Sequence, residues 1–140
     1  MSCRIVLDTN CIISALIFSR ENMAWLRHSW QSGAIIPIVN KATVIELMKV
    51  LTYSKFKLTK TEQSILVADF LPYAETVPTF EIPPDIPVIR DIADQIFIAL
   101  AIVAKADALV TGDNDLLVIK DSFKTPPIMT LSEFKQWQKP

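Results

Sequence analysis

Four acidic residues stand where chemistry is feasible. Asp8 directly follows a short apolar run, residues 3–7. Glu46 sits in an amphipathic stretch, residues 41–52, and Asp94 leads an apolar run, residues 96–104. Asp113 lies in Thr111-Gly112-Asp113-Asn114-Asp115, just after the apolar residues 108–110. Carboxylates forced together repel at neutral pH unless a cation sits among them or protons are taken up. With a single histidine, His28, and two cysteines, a His/Cys zinc site is not expected. Oxygen-only ligands suit Mg²⁺ or Mn²⁺. Such an ion activates water and stabilises charge developing in phosphodiester hydrolysis. The residues therefore point to a metal-dependent phosphoryl or phosphodiester hydrolase. Each acid also has a plainer reading. Asp8 would be a turn residue and Glu46 a solvated helix charge. Asp91 would be an N-cap with Asp94 at the third helical position, and Asp113 and Asp115 part of a simple turn. The specificity lies in the ordered set.

The elements that must position these acids alternate along the chain. Residues 3–7, CRIVL, read as a buried strand with a polar tip. Helices are expected over residues 11–18 and 21–31, ended by Ser32-Gly33. Residues 34–39 form a second strand despite Pro37, which lacks a ladder donor. Asn40 is a good N-cap for a helix over 41–52, with Val44, Ile45, Leu47, Met48 and Leu51 as its apolar face. Thr59 with Glu62 fits a capping box opening a helix to Leu71, closed by Pro72. Thr76-Val77 is a brief strand. Residues 78–87 hold four prolines and read as an ordered surface loop. A helix with Asp94 in its first turn, a strand at 108–110, a short helix, a strand at 127–129 and a C-terminal helix opened by Thr130 and Glu133 complete the order.

This alternation argues for an α/β fold, a mostly parallel sheet of four to five short strands with helices on both faces. Asp8 and Asp113 then lie on the C-terminal edge of the sheet, the side that also carries the N-termini of adjoining helices. The 140 residues suit one domain with a real core, and 51% apolar content supplies it. Two glycines argue against a turn-rich β-sandwich. A net charge of −1 gives no global basic field for nucleic acid. Locally, however, Lys41, Lys49, Lys55, Lys57 and Lys60 cluster with Glu46 as the one acid among them. They are candidates to track a phosphate backbone, with Tyr53 and Phe56 stacking on bases; the plainer reading is a solvated helix end with Phe56 packed inward. Cys3 and Cys11 read as small hydrophobes of a reducing cytoplasm rather than a disulfide. The start, MSCRIVLDTN, has no charged leader before a cleavable apolar core, so no signal peptide is expected. No apolar run approaches the ~20 residues needed to span a bilayer.

Set in order, Val6-Leu7-Asp8-Thr9-Asn10, Glu46 after the second strand, and residues 91–117, DIADQIFIALAIVAKADALVTGDNDLL, resemble the PIN-domain family of ribonucleases. The resemblance is strongest to its bacterial branch of toxins from toxin–antitoxin systems. It spans essentially the whole chain; its two ends are specific and residues 52–87 are not. It implies that Asp8, Glu46, Asp94 and Asp113 form an acidic site holding one or two Mg²⁺ or Mn²⁺ ions. It implies that Asn10 and Ser14 orient the first acid or a bound water, and that Thr111 is a hydroxyl beside the fourth acid. Asp94 is preferred to Asp91, and Asp113 to Asp115, with Asp91 and Asp115 kept as supporting residues. The activity implied is hydrolysis of single-stranded RNA by metal-activated water, and the partner a small antitoxin protein. A homodimer is expected as well, with Trp25, Trp30 and the proline loop as a partner surface.

Two other classes compete. The segment 112–115 faintly resembles the last acidic motif of haloacid-dehalogenase-like phosphatases, but that family wants aspartates flanking one residue on the first strand. Here Asn10 stands in the second place, so the general acid would be absent. The other rival is a non-catalytic interaction or RNA-binding module with the same fold.

Overall fold

The computed structural model describes residues 2–18, 23–86, 92–120 and 126–138. The strands are β1 (Cys3–Leu7), β2 (Ile35–Val39), β3 (Glu75–Thr76), β4 (Ala108–Val110) and β5 (Ile128–Met129). They form one five-stranded sheet in the order β3-β2-β1-β4-β5, with every neighbouring pair parallel. The helices are α1 (Thr9–Ile17), α2 (Ala24–Gln31), α3 (Lys41–Leu51), α4 (Lys60–Ala68), α5 (Ile92–Val103), α6 (Asn114–Leu117) and α7 (Leu131–Gln138). The expected α/β alternation is therefore present, with β1 at the centre of the sheet.

Period-two alternation explains why both faces are covered. Ile5 and Leu7 pair with Ala108 and Val110, and all four are buried in one core with residues of α1, α2, α3 and α7. Val6 pairs with Leu109 and points the other way, into a second core with Phe97, Ile98, Leu100 and Ala101 of α5. Trp30 and Phe70 meet edge to face in the first core, centroids 5.0 Å apart. Trp30 is thus a core residue, not part of a partner surface, and Trp25 also packs against that core.

Pro37 is compatible with β2 because β3 is short. Pairing between the two begins at Ile38, so no ladder bond needs a donor from Pro37. The expected strand at Thr76-Val77 falls one residue earlier, at Glu75–Thr76. Helix α4 ends at Ala68, before the expected Leu71, because Phe70 turns into the core and Pro72 sits in a separate 3-10 turn, Leu71–Tyr73. Helix α3 differs most from its reading. Its buried residues are Thr43, Leu47, Val50 and Leu51, while Ile45 and Met48 face outward. Capping boxes form at Asn40 with Thr43 and at Thr59 with Glu62. Thr130 and Glu133 exchange the same pair of bonds ahead of α7. Both cysteines are free thiols. Among the described residues, no helix is long and apolar enough to cross a membrane.

Candidate active site

In the order 3-2-1-4-5 the crossover direction reverses between β1 and β4, which leaves a crevice beyond their C-terminal ends. Asp8 and Thr111 are the first residues past those two strands. Asp8 caps α1: one carboxylate oxygen accepts the Cys11 N–H at 2.8 Å. The other accepts the Thr111 hydroxyl. That hydroxyl in turn accepts the Asp113 N–H at 2.9 Å. A single fully buried threonine thus ties the first acid to the fourth.

Asp113 caps α6 and accepts the Asp115 N–H at 2.8 Å. Asp94 is buried in the first turn of α5, where the helix dipole favours negative charge. Asp94, Asp113 and Asp115 each bring a carboxylate oxygen to within 4.8 Å of the others. Asp8 and Glu46 are outside that tight trio, but they line the same cleft as Asp94 and Asp113. Helix α3 brings half-buried Glu46 there from one side. The cleft has a volume of about 170 Å³. At about 30 Å³ per water it suits an ion, a few waters and a phosphate rather than a large apolar ligand.

The other sequence-predicted residues divide. Asn10 is exposed and lines the cleft. Ser14 lies one turn further along α1 and is not among the lining residues. Asp115 joins the trio through the α6 turn, while Asp113 also lines the cleft. Asp91 lies outside the described residues. Of the lysines, Lys55 lines the cleft. Lys41, Lys49 and Lys60 instead line apolar grooves beside α3 and α4, and Lys57 is a left-handed turn residue with φ 52°. Phe56 packs partly inward, as its plainer reading has it. The reading of single acids missed Thr9. It lines the cleft, and its buried hydroxyl oxygen has no hydrogen-bond partner among the described residues. The signal was available: a hydroxyl immediately after a strand-tip acid.

Electrostatically the site is a concentration of negative charge, with Lys55 as the one cation lining it among the described residues. Cys11 lies beneath it. Burial first, then the charge of Asp8 and a hydrogen bond to it, push the thiol well above its ordinary value. A thiol held up in this way is a poor nucleophile. The donors that line the cleft are carboxylate and hydroxyl oxygens, the set a hard divalent cation takes. Three clustered carboxylates and an unpartnered buried hydroxyl fit such an ion.

A parallel sheet with acids gathered at its topological switch point defines a class of α/β proteins built around an anionic, cation-seeking crevice. Within that class the chain belongs to the PIN-domain family: the PIN domain profile matches residues 4–115. No curated protein sequence matches the chain. Among solved structures it is similar to a chain in the crystal structure of VapBC2 from Rickettsia felis bound to a DNA fragment from their promoter. The TM-score is 0.59 at 15% identity, over 91% of this chain and 96% of that one. At that identity the likeness speaks for the fold.

Proposed function

We propose that this chain is a metal-dependent endoribonuclease that hydrolyses phosphodiester bonds in single-stranded RNA. The observation that carries the reading is the convergence of Asp94, Asp113 and Asp115, with Asp8 and Glu46 lining the same cleft. Asp94, Asp113 and Asp115 would hold Mg²⁺ or Mn²⁺, with Asp8 and Glu46 at hand for a second ion or for its waters. The bound ion would supply an activated water and charge stabilisation at the phosphoryl oxygens. The chain's own residues do the rest. Thr111 fixes the rotamer of Asp8 and the backbone of Asp113 together, so these groups lose little entropy on engaging a substrate. Buried Asp94, on a helix packed into the core, gives the site a rigid wall. Asn10 and the Thr9 hydroxyl offer hydrogen bonds to a water or a phosphate oxygen.

The same reading makes the chain a toxin held in check by a cognate antitoxin protein, and assigns it to the cytoplasm. Its fold is shared with a chain of the VapBC2 complex. The outward Ile45 and Met48 line an apolar groove beside α3 and α4 with Val67 and Leu71, suited to a protein partner, an antitoxin or a second copy of the chain.

The test is cleavage of labelled single-stranded RNA across a titration of Mg²⁺ and Mn²⁺. Cleavage is expected only with metal. Asp94→Asn and Asp113→Asn are each expected to reduce it at least ~100-fold, the scale of removing one stabilising group from such a site. Cleavage that survives both substitutions, or none at any metal concentration, overturns the reading and leaves a non-catalytic interaction module.

A further inference from the structure

Resting on the ribonuclease reading, we infer that Tyr53 and Lys55 form a nucleotide-gripping corner of the site, and that this corner makes an unpaired strand the preferred substrate. Both residues line the cleft that holds Asp8, Glu46, Asp94 and Asp113. Phe97 also lines it but is buried, so among the described residues Tyr53 is the aromatic there with a free face, 42% exposed.

The corner is held rather than loose. Val50 and Leu51 at the end of α3 turn into the core, which leaves Tyr53 pointing out. The Tyr53 N–H donates to the Val50 carbonyl at 3.0 Å, and the Tyr53 carbonyl accepts from Phe56 at 3.1 Å. A 3-10 turn, Ser54–Phe56, follows, and Phe56 packs against the core as its anchor. Lys57 closes the turn in the left-handed region. The Lys55 ammonium stands 5.1 Å from the Phe56 ring centroid, which keeps the cation near its own turn.

An aromatic and a cation have no use in holding a metal ion. Beside one they have a clear use in holding a nucleotide. A cation set among carboxylates answers the negative charge of a phosphate that must approach them. An exposed ring beside it offers a base a surface to stack on, whatever the base. A base reaches that ring only if it is unstacked and unpaired, so the corner discriminates strand state rather than sequence.

The test separates this inference from the reading it rests on. Binding of a labelled single-stranded RNA, and of the same RNA in a duplex, is measured by fluorescence anisotropy with Mn²⁺ present. Asp113→Asn protein is used so that the RNA is not cut; asparagine retains the α6 cap. Adding Tyr53→Ala is expected to weaken single-strand binding about tenfold and to leave duplex binding unchanged. Tyr53→Phe keeps the ring and is expected to stay within about twofold of the parent. Lys55→Met is expected to weaken binding and to reduce the salt slope by about one unit. Equal single-strand affinity with and without Tyr53→Ala overturns the inference, as does an equal loss for single strand and duplex. If the unaltered chain cleaves RNA while Tyr53→Ala changes nothing, the nuclease reading stands and this one falls. If the unaltered chain neither cleaves nor binds RNA, both fall.

Discussion

Thr111 shows how much a single side chain can carry. Its hydroxyl donates to Asp8 and accepts from the Asp113 backbone, and no water reaches it. Thr111→Val keeps the shape and strands a buried carboxylate oxygen of Asp8 and the part-buried Asp113 N–H. It is expected to cost about 1–3 kcal/mol in a denaturant titration and to lower RNA cleavage, with Thr111→Ser restoring most of both. Cys11 and Cys3 are expected to resist alkylation. Burial and Asp107 push the Cys3 thiol up to about 11, and burial with Asp8 raises Cys11 as well. At pH 8 the folded chain should therefore label far more slowly than the unfolded one, as mass spectrometry would record. The acids were legible because each follows a recognisable boundary: a strand tip at Asp8, a helix start at Asp94, a turn at Asp113. The role of Thr111 as a bridge was not, because it depends on which strands are neighbours. Thr9 was passed over because a hydroxyl beside an acid is ordinary until its surroundings are known.

At the scale of elements, α3 is the informative case. Its cap was plain from Asn40, and the box formed with Thr43 bears it out. Asn40→Ala is expected to lower stability by about 1 kcal/mol in thermal or denaturant unfolding, and to loosen Glu46 at the cleft wall. The inward face of α3 was misread, since Ile45 and Met48 are as apolar as the residues that are buried. Hydropathy marks what water disfavours. It does not say whether the chain itself or a partner does the covering. The same limit applied to Trp30, which was assigned to a surface and lies in the core. The early end of α4 follows from Phe70, whose burial outweighs the local helix pattern.

Across the whole molecule, the sheet order decides how distant segments meet. Arg4 on central β1 reaches Glu75 on edge strand β3, with N–O distances of 2.8 and 2.6 Å, and donates to the Ala104 carbonyl just after α5 at 2.9 Å. The hydrogen bonds from Arg4 hold the Glu75 carboxyl below its ordinary value of 4.5. A depressed folded value means the stabilisation is full above the ordinary value and lost as pH falls through the folded one. Glu75→Gln is thus expected to lower stability by about 0.5 kcal/mol at neutral pH, the scale of a part-exposed pair, and the difference from the unaltered chain should vanish in acid. The α/β class and its two-sided layering were legible from alternation alone. The strand order was not, because it rests on pairings between remote residues. That remoteness has a meaning during synthesis. Asp8 and Thr111 are 103 residues apart, and the acids from α5 and α6 are made after Asp8 and Glu46. While the chain is still being translated, its first half can offer only half a site. On the nuclease reading proposed above, a chain built in this order has no complete acid cluster beside the ribosome and message that produce it, and gains one only when its last third has emerged and docked.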